Sequence, residues 1–249
     1  MKVNRLNTSD IKGNTLHLYL FGDQHIGYKY CDINLIKKDI TIIKKDPKAK
    51  VILMGDMCDI GLKNSVGAGC FDNDINPEEQ IDLAIELLRP IKNKIVGIHS
   101  GNHSERIKKE TTLSPEKMIA NSLNVSYLGD TVFNHIRFKD QTYILFTAHG
   151  NSDSATITGA LNRCMKYSDY QIADIYAMGH VHQLSSISQT YMYVDKKNKE
   201  LVERQRHFIL TGGYLNWKGS YAEGRYSPVR KGCAMIELNG KNFDIKVNA

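Results

Sequence analysis

The chain is poor in the features that would make its class obvious. Among its 249 residues no apolar run approaches the ~20 residues that span a membrane. The first fourteen residues, Met1 to Asn14, are polar and contain no apolar signal core, so a cytoplasmic protein is the expectation. Cysteine is scarce and odd in number: Cys31, Cys58, Cys70, Cys164 and Cys233 form no C-x-x-C pair. That argues against a disulfide framework and against a thiolate zinc site. There are only 5 prolines and 1 tryptophan, and no repeat or low-complexity tract divides the chain. The formal net charge of +6 is a mild excess, a weak hint of a polyanionic partner.

What is present is a series of short apolar runs, each ending in the same kind of residue. Leu18-Tyr19-Leu20-Phe21-Gly22 runs into Asp23-Gln24-His25. Val51–Met54 runs into Gly55-Asp56-Met57-Cys58-Asp59. Lys94–His99 leads to Gly101-Asn102-His103, Thr142–Ala148 to His149-Gly150, and Asp174–Met178 to Gly179-His180-Val181-His182. One Asp-x-His is expected by accident; five apolar runs ending in metal-ligand side chains are not. Carboxylate, amide carbonyl and imidazole together suit Mn, Fe, Zn, Co or Ni better than Ca or Mg. A site for two divalent ions is the expectation.

Between these points the pattern alternates. Ile33–Lys45 carries Ile33, Ile36, Ile40 and Ile43 at helical spacing, and Glu78–Arg89 does the same with Ile81, Ala84, Ile85 and Leu88 before Pro90. Ser114-Pro115-Glu116 opens a further helix, and Ala155–Tyr170 is expected to be helical. Val132–Phe138 with Thr142–Ala148, Ser185–Val194 with Leu201–Thr211, and Ala234–Leu238 with Phe243–Val247 form strand pairs. Residues 1–15 are expected to be a lead-in and 61–77 a long loop. One α/β domain over residues 1–249, its sheets packed between helices, places all five motifs at the carboxyl ends of strands.

In this order the motifs resemble those of the calcineurin-like metallophosphoesterase superfamily. The resemblance implies a four-layer αββα sandwich and a dinuclear-metal phosphoesterase. Asp23, His25 and His182 would hold one ion, with Mn first among the candidates. Asn102, His149 and His180 would hold the other, and Asp56 would bridge. His103 would stand at the leaving-group oxygen as a general acid or phosphate donor, and Asp59 would orient a ligand histidine or the loop. Many members carry an acidic residue directly after the Gly-Asn-His; here it is Ser104, with Glu105 one step on.

Two stretches mix aromatics with cations and are candidates for the substrate site: Tyr28-Lys29-Tyr30, and the Gly-rich loop with Tyr214, Trp217 and Arg225. Bases stack on such rings while cations take the phosphates. The competing reading makes Tyr214 and Trp217 packing anchors. The expected substrate is a phosphodiester, nucleic acid or nucleotide, cleaved by a metal-activated water. The alternatives are a phosphomonoesterase, a cyclic-nucleotide phosphodiesterase, and a binding scaffold without chemistry. A homo-oligomer is a further candidate assembly, and a membrane is not an expected partner.

Overall fold

The structure is a computed structural model describing residues 2–63, 65, 69–151, 154, 156–223 and 227–249. Its strands in chain order are β1 (Lys2–Leu6), β2 (Thr15–Phe21), β3 (Ala49–Leu53), β4 (Ile95–His99), β5 (Tyr127–Gly129) and β6 (Thr131–Phe138). They continue with β7 (Gln141–Ala148), β8 (Ile175–Met178), β9 (Leu184–Asp195), β10 (Glu200–Gly213), β11 (Gly232–Asn239) and β12 (Ile245–Asn248). The helices are α1 (Ile33–Lys45), α2 (Pro77–Leu88), α3 (Asn102–Thr111), α4 (Pro115–Leu123) and α5 (Ile157–Met165).

Backbone pairing follows the order β1-β6-β7-β8-β10-β11-β2-β3-β4-β5, with β9 on β10 and β12 on β11. The link between β10 and β11 is slight: Gly212 faces Cys233, and Gly213 faces Gly232. On either side of it the strands form two sheets whose inner faces pack together. Period-two alternation decides which residues those are. Leu16, Leu18, Leu20 and Ile52 of one sheet meet Val132, Ile136, Leu145, Ile175, Ala177 and Ile209 of the other. The intervening residues face outward: Phe21, Val51 and Leu53 pack on α1, α2 and α4. On the opposite side Phe146, Tyr176, Met178, Phe208 and Leu210 pack on α5. Helices, sheet, sheet and helix make the expected four-layer αββα sandwich.

The helices begin where local chemistry says they should. The Asp32 carboxylate accepts the Leu35 N–H and caps α1. Asn76 and Glu79 cap each other's backbone at the start of α2, with Pro77 in the first turn. Ser114 precedes α4 but makes no side-chain cap bond. Three elements depart from the sequence reading. Residues 2–6 are a strand rather than a lead-in, pairing in parallel with β6 from Lys2↔Val132 to Leu6↔Ile136. Only Leu6 of β1 is buried, so backbone hydrogen bonds carry it and no apolar alternation announces it. Helix α3 was unannounced for a similar reason: NHSERIKKET holds one apolar residue, Ile107. The helix expected over Ala155–Tyr170 is shorter, α5 followed by a 3-10 turn at Lys166–Asp169. Among the described residues no helix is long and apolar enough to cross a membrane.

Candidate metal centre

Each motif sits just past a strand's carboxyl end. Asp23 and His25 follow β2, Asp56 and Asp59 follow β3, and Asn102 and His103 open α3 after β4. His149 follows β7, and His180 and His182 follow β8. The two sheets thus supply the two halves of one cluster. Its backbone is unusual. Asp23, His25 and Asp56 all have φ of 49°, His180 has 69° and His182 has 55°. Non-glycine residues in this left-handed region cost on the order of 1–3 kcal/mol each and collect at functional sites. Gly101 is required for a different reason: a Cβ there would fall 1.9 Å from Asp56 Oδ1.

The side chains converge. His25 Nε2 lies 2.9 Å from His182 Nε2, and His182 Nε2 lies 3.6 Å from Asp23 Oδ1. Asn102 Oδ1 is 2.9 Å from His149 Nε2 and 2.7 Å from His180 Nδ1. Asp56 Oδ2 is 3.2 Å from His149 Nε2, while Asp56 Oδ1 accepts the His103 N–H at 3.0 Å. Three groups of metal-ligating atoms result: Asp23, His25 and His182; Asp56, His149 and His180; and His25, Asp56 and His103. Asp56 belongs to two of them and lies between the sets expected for the two ions. The backbone N–H of His180 donates to both Asp23 oxygens, at 3.0 and 3.1 Å.

Outer partners orient the rings. His149 Nδ1 donates to Met54 O at 2.8 Å, which leaves Nε2 for the cluster. Asp59 Oδ1 lies 3.2 Å from both His25 Nδ1 and His103 Nδ1, and Asn73 Nδ2 donates to Asp59 Oδ2 at 2.7 Å. Asp59 therefore holds two histidines at once, and that is how a carboxylate behind a ligand sets ring orientation. His103 Nδ1 donates to Asp59 O at 2.6 Å, and its Nε2 lies 3.3 Å from Arg106 Nη2.

The electrostatics ask for a cation. Burial pushes the Asp23 carboxyl up to about 7, with His149 opposing and Asp56 adding to the rise. Burial works against a charged His149 as well, yet the Asp56 carboxylate outweighs it and lifts His149 to about 10. Burial and the neighbouring His149 lower His180 to about 4, and burial lowers His25 and His182. Imidazole nitrogens, an amide oxygen and two buried carboxylates are the kind of donor set a pair of divalent ions requires. The residues fit the expected group.

Part of the cluster borders a cavity of about 300 Å³. Asp56, Asn102, His103, His180 and His182 lie on its wall, facing Tyr28, Leu215, Trp217, Tyr221 and Ala222. Tyr28, Leu215 and Ala222 form a small apolar cluster of their own, with Tyr30, Trp217 and Tyr221 packed against it. The sequence-based substrate residues divide. Tyr28 and Trp217 are on the wall. Lys29 is not: its Nζ pairs with Asp72 Oδ1 at 2.5 Å. Tyr214 is not either; it is fully buried against Phe21, and its hydroxyl donates to Asp39 Oδ2 at 2.6 Å. The ring is a core anchor, because the backbone just past β10 turns it towards α1 and Leu215 towards the cavity. Arg225 lies outside the described residues.

Two residues the motifs did not point to also matter. Arg106 lines the cavity three residues after His103, one turn along α3. Its signal was the i, i+3 spacing, legible only once a helix is placed there. Glu105 turns outward to Lys108 at 2.7 Å, and the carboxyl buried near Ser104 is that of Glu116, from the first turn of α4.

The ordered motifs, brought together at strand ends between two packed sheets, resemble a calcineurin-like metallophosphoesterase centre. No family model matches this chain, and no curated protein matches it. Several solved structures are similar in outline. A predicted phosphoesterase of Streptococcus pneumoniae TIGR4 is 12% identical over 94% of this chain and 90% of its own, with a TM-score of 0.41. Vacuolar Protein Sorting 29 of Cryptosporidium parvum is 14% identical over 95% and 98%, with a TM-score of 0.46. The Pseudomonas putida nuclease MPE is 13% identical over 93% and 87%, with a TM-score of 0.39. Likenesses this distant carry no argument, and the metallophosphoesterase reading stands on the motifs and the site.

Proposed function

We propose that this chain is a dinuclear-metal-dependent phosphoesterase that hydrolyses phosphodiester bonds, in nucleotides or nucleic acid, with Mn first among the candidate ions. The observation that carries this reading is the convergence of seven candidate ligand side chains, four of them (Asp56, Asn102, His180 and His182) on a cavity wall with His103 beside them. Asp23, His25 and His182 would hold one ion, Asn102, His149 and His180 the other, and Asp56 both. Two divalent ions held there supply a nucleophilic water at neutral pH and neutralise charge on the attacking and leaving oxygens.

The chain's own groups do the rest. His103 presents Nε2 while Asp59 O fixes Nδ1. Burial opposes its protonation, but Asp56 and Asp59 outweigh burial and raise its pKa. A protonated Nε2 can deliver its proton to the departing alkoxide. Asp59 keeps His25 and His103 in register. Trp217 and Tyr221 close the side opposite the ligands and give a base a surface to stack on.

The test is hydrolysis of bis(p-nitrophenyl) phosphate and p-nitrophenyl phosphate with Mn²⁺, Zn²⁺, Fe²⁺, Co²⁺ and Ni²⁺. Turnover of the diester above the monoester, abolished by a chelator and restored by metal, is expected. Two ions bound per chain with no turnover of either ester would instead favour a binding scaffold.

A further inference from the structure

Arg106 is the one Lys or Arg side chain among the described residues that line the cavity. The other cations nearby are engaged elsewhere: Lys29 pairs with Asp72, and Lys231 with Asp32 and Asn216. Arg106 has no carboxylate within ion-pair distance among the described residues. Its contacts are with His103, Nη1 at 3.4 Å from Nδ1 and Nη2 at 3.3 Å from Nε2. Since His103 Nδ1 is committed to Asp59 O, the ring can accept at most one of these. A guanidinium carries five donors in a rigid fork. Most of them are left for something that enters the cavity.

The position of that fork matters. Arg106 makes no hydrogen bond to any of the seven ligand side chains; it reaches the centre only through His103. A phosphoryl group seated on the metal ligands would be held by them, not by Arg106. The guanidinium stands beside His103, so it shares the leaving-group side that the proposed acid role gives His103. An arginine fork matches two oxygens of one phosphate, and in a half-buried wall the pairing is stronger than in open water.

We propose that Arg106 is a specificity-determining residue that grips a phosphate on the leaving-group side of the scissile bond. The preferred diester is then one whose departing alcohol itself carries a phosphate, as the next nucleotide of an oligonucleotide does. This rests on the phosphodiesterase reading and narrows it: a cyclic nucleotide or a simple aryl diester offers Arg106 nothing.

Three dithymidylates test it, one with a 5′-terminal phosphate, one with a 3′-terminal phosphate and one with neither. They are assayed on the Mn²⁺-loaded protein and titrated by calorimetry into the metal-free protein. One phosphorylated form is expected to show KM and Kd about 10–100-fold below the bare dinucleotide, the range of a charge-assisted hydrogen-bond pair. Arg106→Ala should erase that preference, and Arg106→Lys should restore part of it, with melting temperature confirming that both variants fold. Equal KM and Kd for all three in the wild type, or a preference that survives Arg106→Ala, overturns the proposal. So does a uniform loss of kcat on every substrate, which is what a merely structural arginine gives. If no dinucleotide is cleaved but the phosphorylated form binds tighter and Arg106→Ala abolishes this, the phosphodiesterase reading fails while the phosphate-gripping role stands.

Discussion

On one side of the cavity the wall is Asp56, His103 and the other strand-end residues, polar and largely buried, with Asp56, His180 and His182 in left-handed backbone. On the other side it is Tyr28, Leu215, Trp217, Tyr221 and Ala222, an apolar cluster in ordinary packing. The first side is destabilising on its own account, since buried carboxylates and imidazoles lose hydration that they recover only from one another or from a cation. The second side stabilises the fold by burying ring and alkyl surface. Function is expected to follow the same division, with chemistry and metal on one wall and substrate choice on the other. Changes that respect or violate that division sharpen it.

Asp56→Asn has the largest expected effect. Removing the carboxylate between the two ligand sets should bring metal content from about two ions per chain to one or none and activity to background. Elemental analysis under saturating Mn²⁺ decides; two retained ions would remove Asp56 from the bridging role. His103→Ala comes next: metal stays and rate falls about 10²–10⁴-fold. The loss should be smaller with p-nitrophenolate as leaving group than with an alkoxide, because the former leaves without protonation. An equal loss on both would reassign His103 to phosphate positioning.

Tyr214→Ala tests where the loop changes from site to core. Its ring is fully buried against Phe21, so truncation should cost about 3–5 kcal/mol of stability. Metal affinity and KM should change little in the fraction that stays folded. A denaturant titration that shows under 1 kcal/mol would move the ring out of the core.

Glu116→Gln gives a pH-dependent effect. Burial, helped by Asp56, lifts the Glu116 carboxyl from 4.5 to about 7. A raised carboxyl favours the protonated folded state, so ionisation erodes stability progressively from about pH 4.5 to pH 7 and the penalty is constant above. Glutamine cannot ionise. The variant should therefore gain up to about 3 kcal/mol over the wild type at pH 8 and nothing near pH 4. Thermal melts across that range give the answer, and a pH-independent difference would place the carboxyl in a hydrated environment.

Trp217→Ala has the smallest expected effect. KM on nucleotide diesters should rise by the equivalent of ~1–3 kcal/mol of lost stacking, while an aryl phosphate without a base is little affected. A parallel loss on both, with a lowered melt, would make the apolar wall purely structural.

Most of the sandwich and all the candidate ligands were legible in the chain itself. Alternation of the kind seen in Leu16, Leu18 and Leu20 assigns a strand its two faces whatever it packs on. Ile36, Ile40 and Ile43 do the same for α1, and Asp23, Asp56, His149 and His180 stand beside the runs that deliver them. These are short-range properties, set by side chains a few positions apart. The tertiary structure decided the rest. β1 exists because β6 offers an edge to pair with, not because of its own residues. Helix α3 lacks an apolar stripe, so Arg106 has no address until the helix is built. Tyr214 and Leu215 are neighbours in sequence and part company in space, one facing α1 and the other the cavity, because successive side chains of an extended segment point to opposite faces and only the assembled layers say which face is which.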